Sequence, residues 1–571
     1  MDERTLRKDL AAQFGADVKD HNDVMQECVT LCNLFRMSAD DLFIAWESFD
    51  SSNSNSLSSS TSSVRAKTGR TQITISALRD LKAHIHRERE RKAEEEGHHR
   101  PNAAAARRSL GGRVGKTGLG TMGAPPPERA REPPVAVRPR VEVREVGEGQ
   151  RHYRYMYGKI SQRAEILDDI IDDMSEFVRA HYGLEELGDP ASVTDEEVVV
   201  VGRVCSDADT GAKLTESSLL LESSRIGGSG MRTPLKFEPG FSVRGRNENG
   251  FGLFPGQIVA LRGKNGGGGW FSASEALELP GLPEPPLPPT SSSSTSFNAV
   301  IACGPFTPDG DLLYAPLEQL LAEVSRSKPG VLLLLGPFID SNHPLIRKGD
   351  VDHTPLEIFQ RRIAAPLRGC LQANPGMSLV IVPGVRDLVS FHAAFPQAAL
   401  SETEDLQLPK AAIHLSNPCT MTMNGVTLSA TSVDVLFHLR KEEFIKRVDV
   451  ASTPLDPMAS LAAHVLSQRS FYPIFPPSKD GSSDVNLDVL HYDLIRLGPA
   501  APAILVLPSL LKQFHKVVND TMVINPSFLS RGHYAWLECP DATFAQATGG
   551  KTAWEVFWKN ATVDLRRLPT Q

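Results

Sequence analysis

Residues 300–307 read VIACGPFT, and the same layout returns at residues 332–340 as LLLLGPFID and at residues 380–388 as VIVPGVRDL. Each stretch is an apolar run that ends in a small or rigid residue and a short loop. Continuous apolar runs of this kind are typical of strands that are buried on both faces. Helical patterns separate several of them, such as residues 316–325. We therefore predict an α/β/α sandwich over residues 297–571, with loops at the strand ends where such folds place their chemistry.

A different texture precedes this region. Residues 198–206 (VVVVGRVCS), 256–263 (GQIVALRG) and 270–279 (WFSASEALEL) resemble short strands that are separated by Gly-rich turns. About a hundred residues of this kind suit a small barrel such as an OB-fold. An amphipathic helical pattern around Ile166–Val178 leads into it. We assign residues 151–296 to this helix, the barrel and a closing Pro/Ser spacer.

The N-terminal part divides in two. Residues 1–96 carry helical patterns with apolar faces, interrupted at 51–70 by a Ser-rich stretch that we predict to be a loop inside one small all-α domain. Residues 97–150 hold a poly-Ala run, several prolines and many arginines without a sustained period. We predict a disordered linker there, which acts as a flexible tether.

Composition excludes several classes of protein. The chain has 571 residues and a formal net charge of -8, so it is neither a bulk nucleic-acid coat nor a polybasic membrane binder. No run of 18 apolar residues is present, and the start MDERTLRKDL lacks an apolar segment, so we expect no membrane partner and no secretory signal. Seven scattered cysteines suggest a reducing compartment.

Two short motifs resemble functional sites but lack required parts. Gly115-Lys116-Thr117 and Gly550-Lys551-Thr552 resemble the end of a phosphate-binding loop, but Leu110 and Ala545 stand where its first glycine is needed. Cys28 and Cys32 are one helical turn apart without a second pair of ligands, so we interpret them as buried core residues and not as a zinc site. We predict no cofactor.

The strand-end loops carry the outline of a binuclear metal site without its ligands. A calcineurin-like metallophosphoesterase needs Asp-x-His, then a bridging Asp, then Gly-Asn-His-Asp or -Glu. Pro337 stands in place of the bridging Asp, and a proline cannot hold two cations. Asp340 and Asp387 remain, but two carboxylates alone do not make a binuclear site. The degenerate positions are Cys303, Gly304, Gly336, Pro337, Asp340, Gly384, Arg386 and Asp387. We predict a phosphoesterase-like domain without metal or catalytic residues.

Six motifs in the same order point to one family. The stretches VIACGPFT, LLLLGPFID, VIVPGVRDL, SNPCTMTMNGVTLSATSVDVLFHL, LSQRSFYPIFPP and VINPSFL closely resemble the B subunits of eukaryotic DNA polymerase alpha. The resemblance extends over nearly the whole chain except the two linkers.

The resemblance implies a non-catalytic accessory subunit in the nucleus. It implies a helical N-terminal domain, a tether, an OB domain and a phosphoesterase-like domain that has lost its metals. The implied partners are the zinc-binding C-terminal domain of the catalytic subunit, primase through that subunit, and replication factors at the N-terminal domain. The implied process is RNA–DNA primer synthesis at the initiation of DNA replication.

Three alternatives remain open at this point. The chain could be the B subunit of another replicative polymerase, a single-stranded DNA-binding OB module, or an active phosphodiesterase. Residues 190–290 carry nine Lys and Arg against twelve Asp and Glu, which disfavours a DNA groove in the isolated chain but leaves DNA contact inside an assembled complex open.

The strand-end loops also suggest an interface. Phe306, Phe338 and Val385 are apolar residues where a hydrolase would place charged ligands. Loops lie at the surface, and exposed apolar clusters usually mark protein contacts. These three residues are therefore candidates for contact with the partner. The alternative is that the loops fold down over the vacated cleft and bury them.

Overall fold

The structure is a computed structural model with two compact units, residues 1–130 and 131–571. It describes residues 6–8, 10, 14, 21–35, 39, 42, 46, 81–82, 140–147, 154–207, 213–244, 250–288, 296–390, 393–401, 404–448, 456–477, 485–540 and 553–569. The Ser-rich stretch at 51–70 and most of the predicted linker lie outside these ranges.

The first unit contains helix α1, Asn22–Phe35. Its buried side chains include Val24, Cys28, Leu31 and Cys32, and they belong to one apolar cluster with residues from positions 6–14, 39–46 and 81. The interpretation of Cys28 and Cys32 as buried core residues is confirmed.

The second unit holds the other described helices and strands. Its helices are α2 Ile160–Tyr182, α3 Ala315–Ser327, α4 Pro344–Lys348, α5 Pro355–Phe359, α6 Ala365–Ala373, α7 Val435–Glu442, α8 Pro457–Ser467 and α9 Ala553–Asn560. Its strands are β1 Val143–Glu145, β2 Thr194–Ser206, β3 Leu219–Glu222, β4 Arg232–Val243, β5 Gly250–Leu253, β6 Ile258–Asn265, β7 Phe271–Leu277, β8 Phe297–Cys303, β9 Val331–Leu335, β10 Ser378–Val382, β11 Ala394–Phe395, β12 Ile413–His414, β13 Cys419–Met423, β14 Val426–Ala430, β15 Phe444–Arg447, β16 Asn486–Leu487, β17 Ile504–Val506, β18 Phe514–Val518, β19 Thr521–Asn525, β20 His533–Cys539 and β21 Thr562–Arg567.

The barrel closes in the order β2–β3–β4–β7–β6, with β4 and β7 parallel and the other pairs antiparallel. This is the strand order of an OB-fold. Successive side chains of β2 point to opposite faces of the strand. Val200 and Val204 lie in the barrel interior, whereas Val199 and Val201 lie outside it and pack in one cluster with Ile171 of α2. The predicted barrel with a leading helix is therefore confirmed.

The C-terminal region is built on two six-stranded sheets. The first has the order β12–β10–β9–β8–β20–β21, and the second has the order β1–β13–β14–β17–β19–β18. Strands β8, β9, β10 and β12 are parallel, as are β14, β17 and β19. The carboxyl ends of neighbouring parallel strands meet at one edge of each sheet.

Three apolar cores separate the layers. Alternate residues of β8, such as Ile301 and Val300, belong to different cores, one between the sheets and one under α3 and α6. A third core lies between the second sheet and helices α7 and α8. The sandwich therefore has two central sheets, so the predicted α/β/α arrangement contains four layers. Strands such as β8 are buried on both faces, which explains their continuous apolar sequence.

The expectation of a structureless linker over 97–150 is wrong for residues 140–147. Strand β1 pairs antiparallel with β13 and forms the edge of the second sheet. Val141 is buried in the core between the sheets, and its carbonyl accepts a hydrogen bond from Ser378 of the first sheet (3.1 Å). The sandwich therefore includes residues 140–147.

The barrel and the sandwich share backbone and core. Strand β5, between barrel strands, pairs antiparallel with β15 of the sandwich. Gln468 donates to the carbonyl of Ile258 (2.9 Å) and accepts from its N–H (2.7 Å), in the manner of a neighbouring strand. Phe254 is fully buried in the core beside α7 and α8.

Candidate functional site at the strand ends

Three loops of the first sheet meet where the sequence predicts the degenerate site. The N–H of Gly304 donates to the carbonyl of Leu335 (2.8 Å), and the N–H of Gly336 donates to the carbonyl of Val382 (2.8 Å). The loops therefore continue the hydrogen-bond pattern of β8, β9 and β10 beyond the strands. The structure brings all eight degenerate positions together at this edge.

Glycine is required where these loops cross. A Cβ on Gly304 would lie 2.0 Å from the carbonyl oxygen of Pro337, and a Cβ on Gly384 would lie 2.7 Å from the backbone nitrogen of Pro337. A Cβ on Gly336 would lie 2.4 Å from Oδ2 of Asp387. Such distances leave no space for a side chain, so the glycines allow three backbones to approach each other. Cys303 is buried under this crossing and its Sγ contacts the carbonyl of Gly336 (3.3 Å).

Asp387 fixes two of these loops to each other. Its Oδ1 accepts the N–H groups of Phe338 (2.5 Å) and Ile339 (2.8 Å), and its Oδ2 accepts the N–H of Gly384 (2.8 Å). Burial raises the pKa of this carboxyl to about 7, although the three backbone donors act in the opposite direction. The carboxylate that a metal would need is thus engaged by the protein backbone.

Asp340 is engaged in a different way. Its Oδ2 lies 3.1 Å from Nη2 of Arg386, and its Oδ1 accepts the N–H of Asn342 (2.9 Å). Asp340 is buried, and Asp340 and Asp387 face each other as an isolated antiparallel bridge. A guanidinium therefore supplies positive charge beside the carboxylate of Asp340.

The expected exposure of the two phenylalanines is wrong. Phe306 and Phe338 have side chains that are 0% and 1% exposed, and their rings stack with centroids 5.1 Å apart. Tyr314 closes the cluster, and its hydroxyl donates to the carbonyl of Phe338 (2.9 Å). Burial of a large aromatic side chain in the core under α3 is more favourable than its exposure to solvent, so the two phenylalanines point into the core. Val385 is half-buried and packs against the core of the second sheet's helices.

Other apolar side chains occupy this surface. Leu388, Leu313 and Leu510 are 42%, 45% and 42% exposed, and all three follow or flank the strand-end loops. Leu388 directly follows Asp387, and its N–H donates to the carbonyl of Ile339 (3.0 Å). Motif matching did not identify these leucines, because nothing in the local pattern separates an inward Phe from an outward Leu.

The second sheet adds polar groups that lie in the motif SNPCTMTMNGVTLSATSVDVLFHL but are not among the site residues that the sequence predicts. Asp434 accepts the N–H of Phe437 (3.0 Å) as the N-cap of α7 and the N–H of Leu510 (2.7 Å). Burial raises its pKa. Asn417 is fully buried and its Oδ1 accepts the hydroxyl of Thr431 (3.0 Å). The stretch SNPC contains Asn417, and an Asn before a proline was the available signal.

Histidine and carboxylate positions limit what the site can bind. Across the described ranges, no group of three or more His, Cys, Asp or Glu side chains is placed to hold a metal ion. His343, the nearest buried histidine in sequence, caps α4 through Nδ1, which accepts the N–H of Leu345, and its Nε2 lies 3.0 Å from the carbonyl of Pro308. The described side chains at these loops therefore form no such group.

The barrel surface offers little for single-stranded DNA. Phe241 and Phe271 are in the barrel core, Phe254 is in the sandwich core, and Phe237 and Phe251 are partly buried against the barrel core. Trp270 is 39% exposed, but the ammonium of Lys236 lies 3.4 Å from its ring centroid. Core packing, as expected from the sequence, accounts for most of the aromatic residues of this region.

None of the described helices combines the length and apolar content that a membrane crossing requires.

Comparison with protein families matches two regions of the chain. Residues 299–516 match the family model of the B subunits of DNA polymerases alpha and epsilon. Residues 164–279 match the model of the OB domain of the DNA polymerase alpha B subunit. The first match lies in the sandwich, and the second covers the barrel and most of the helix that leads into it.

Curated relatives agree with the family models. The chain is 34% identical over 398 residues to the DNA polymerase alpha B subunit of Schizosaccharomyces pombe, which covers 67% of this chain and 66% of the relative. The corresponding protein of Saccharomyces cerevisiae is 31% identical over 474 residues, which cover 72% of this chain and 65% of that protein. The DNA polymerase alpha B subunit of Bos taurus is 30% identical over 366 residues, which cover 64% of this chain and 57% of that protein. The chain thus spans about two thirds or less of the length of these relatives.

Among solved structures, the chain resembles TT1561 of Thermus thermophilus with 11% identity and a TM-score of 0.24, over 48% of this chain and 100% of the other. This likeness is too low to carry an argument, so the architecture rests on the strand order above. Because two family models and relatives from several species agree, the chain belongs to the family of DNA polymerase alpha B subunits.

Proposed function

We propose that this chain is a non-catalytic accessory subunit of DNA polymerase alpha–primase in the nucleus. In this proposal the barrel and sandwich form a docking platform for the zinc-binding C-terminal domain of the catalytic subunit. Primase joins through that subunit, and the N-terminal unit binds replication factors. The process served is RNA–DNA primer synthesis when DNA replication begins.

One observation carries the non-catalytic part of the proposal. The two carboxylates that remain at the strand ends are both engaged by the protein, Asp387 by three backbone N–H groups and Asp340 by Arg386. A binuclear hydrolase needs carboxylate oxygens that are open to metal and a bridging ligand between two cations. Pro337 supplies neither. The site is therefore proposed to be an inactivated phosphoesterase centre.

Elemental analysis and a turnover assay test this part. Purified protein should retain no stoichiometric divalent metal after dialysis, and hydrolysis of a generic phosphodiester with added Mn²⁺ or Zn²⁺ should equal the buffer blank. A tightly held pair of metals, or turnover that disappears in D387N, would contradict the proposal.

The rigid connection between the barrel and the sandwich supports the platform. Because β5 pairs with β15 and Phe254 lies in the sandwich core, a partner that contacts both domains meets a fixed surface. A preformed surface lowers the entropic cost of binding.

Co-expression with the zinc-binding domain of the catalytic subunit tests the platform. We expect a stable one-to-one complex in gel filtration for the full chain and equally for residues 140–571. Loss of the complex with residues 1–139 would move the binding site to the N-terminal unit. Substitution of the exposed Leu388 and Leu510 by Asp then tests whether the strand-end surface is the contact face, with complex formation in gel filtration as the measurement.

A further inference from the structure

The first turn of α2 extends beyond the core on which the rest of the helix packs. Ile160 lies on the same face of α2 as Ile171 and Val178, because the three are separated by whole numbers of turns to within about 20°. Ile171 and Val178 are 1% and 0% exposed, whereas Ile160 is 85% exposed. The apolar face of the helix thus continues past the described part of its own core.

Two neighbouring side chains enlarge this apolar surface. Met156 and Tyr157, in the segment that leads into α2, are 56% and 70% exposed. Together with Ile160 they place three large apolar side chains within five residues. Exposed apolar residues are normal when scattered, but a group so close along the chain indicates an interaction site.

The backbone under these side chains is held in place. The N–H of Met156 donates to Oδ2 of the buried Asp488 (2.8 Å), and the hydroxyl of Tyr155 accepts the N–H of Ala398 (3.0 Å). Gly158 lies against Leu490, where a Cβ would come within 2.0 Å of a methyl carbon. Met156 itself has a φ of 54°, a conformation that non-glycine residues adopt only where the surroundings impose it. The surface is therefore preformed.

The charge of this surface is opposite to that of the chain as a whole. Arg154, Lys159 and Arg163 are exposed and alternate along the chain with the apolar residues. In the described part of the chain none of the three makes an ion pair, although Arg154 lies over the ring of Tyr157 (5.2 Å). The chain carries a net charge of -8, so three uncompensated cations in ten residues are a local feature.

We propose that Met156, Tyr157 and Ile160, with Arg154, Lys159 and Arg163, form a docking site for an acidic segment of a partner protein that inserts apolar side chains. The apolar group would supply the buried centre, and the cations would pair with carboxylates at its rim. This site is separate from the strand-end loops, and it does not depend on the function proposed above.

A nucleic acid fits the surface less well. A single strand needs a continuous cationic path and free aromatic faces for stacking. Tyr157 already has a guanidinium over its ring, and the next turns of α2 carry the carboxylates of Glu165, Asp169 and Asp173. A phosphate backbone that followed the helix would meet these carboxylates, whereas a short protein segment ends before them.

Fluorescence anisotropy with the full chain tests the proposal. The probe is a short labelled helical peptide of Glu, Leu and Phe, compared with the same peptide in which Lys replaces Glu and with labelled oligo-dT. We expect the acidic peptide to bind and the basic peptide not to bind. Tyr157→Ser with Ile160→Ser, and separately Lys159→Glu with Arg163→Glu, should each weaken binding by about tenfold or more. Only the second pair should also reduce the salt dependence of binding.

Ile226→Ser is the matched control, because Ile226 is also 85% exposed but lies on a barrel loop. It should leave binding unchanged, and all variants should keep the thermal midpoint of the parent. Absence of acidic-peptide binding, or binding that neither pair of substitutions weakens, overturns the proposal. Oligo-dT binding that Tyr157→Ser with Ile160→Ser removes would also overturn it and assign the surface to nucleic acid.

Discussion

At the scale of single residues, Asp387 links the loops at the strand ends. Its carboxyl accepts three backbone N–H groups and is fully buried. A buried carboxylate in a metal-dependent hydrolase would use the same oxygens for metal. In this structure those oxygens join the loops that follow β9 and β10.

The raised pKa of Asp387 predicts a pH dependence of stability. In the unfolded chain the carboxyl titrates near 4, and in the folded chain burial raises its pKa to about 7. The folded state therefore favours the protonated form, and the stability that this contributes is present below pH 4 and is lost as pH rises towards 7. Urea unfolding of the wild type and D387N at several pH values measures it. The difference in free energy of unfolding should shift in favour of D387N as pH rises, and parallel curves would contradict the assignment.

The stacked phenylalanines give a second residue-scale prediction. Phe338→Ala should reduce the free energy of unfolding by about 3–5 kcal/mol, because it leaves a cavity beside Phe306 and Tyr314. Leu388→Ala, in the same loop region but 42% exposed, is the control and should cost less than about 1 kcal/mol. Equal effects in chemical denaturation would mean that Phe338 is not in the core.

The sequence predicts where the strands end, but it does not predict which side chains of the following loops are buried. The runs VIACGPFT and LLLLGPFID identify strand ends, because continuous apolar residues require burial on both faces. They do not say whether the following Phe turns in or out. That depends on the space between three loops and α3, which only the assembled sheet defines. The paired Asp340 and Arg386 escaped prediction for the same reason, because they lie on loops that are distant in sequence.

At the scale of elements, β1 shows how a strand can be missed. The stretch VEVREV at 141–146 alternates valine with charged residues, which is a strand pattern, but it lies at the end of an Arg- and Pro-rich segment. Its stability comes from β13, which offers an unpaired edge, and from the core that receives Val141. A three-residue strand has no independent stability, so its presence depends on tertiary contacts.

Truncation measures what β1 contributes. A fragment that begins at residue 140 should have a higher thermal midpoint than one that begins at residue 151, because the shorter fragment loses the edge strand and the buried Val141. In the full chain, Val141→Asp should destabilise, whereas Val146→Asp, at a position that is 49% exposed, should not. Equal midpoints for the two fragments would show that the strand is dispensable.

At the scale of the whole molecule, the second unit combines two architectures through shared hydrogen bonds. Strand β5 belongs to the barrel in sequence and pairs with the sandwich in space. Helix α2 packs on the barrel and reaches the sandwich through Asp173, which lies 2.6 Å from Arg496. The sequence predicts both domains, but it does not predict this junction, because β5 and β15 lie far apart along the chain.

The junction predicts that barrel and sandwich unfold together. Gln468→Ala removes both hydrogen bonds to Ile258 and leaves a buried N–H and C=O unpaired, so the free energy of unfolding should fall by about 1–3 kcal/mol. Calorimetry of residues 140–571 should show one transition that moves as a whole in this variant. Gln513→Ala, which removes a half-buried hydrogen bond to Pro526 inside the sandwich, is the matched control and should also leave a single transition. If Gln468→Ala splits the transition, the two domains are held together mainly by this side chain. Two transitions in the parent protein would mean that β5–β15 pairing does not couple them, and a rigid platform would then be excluded.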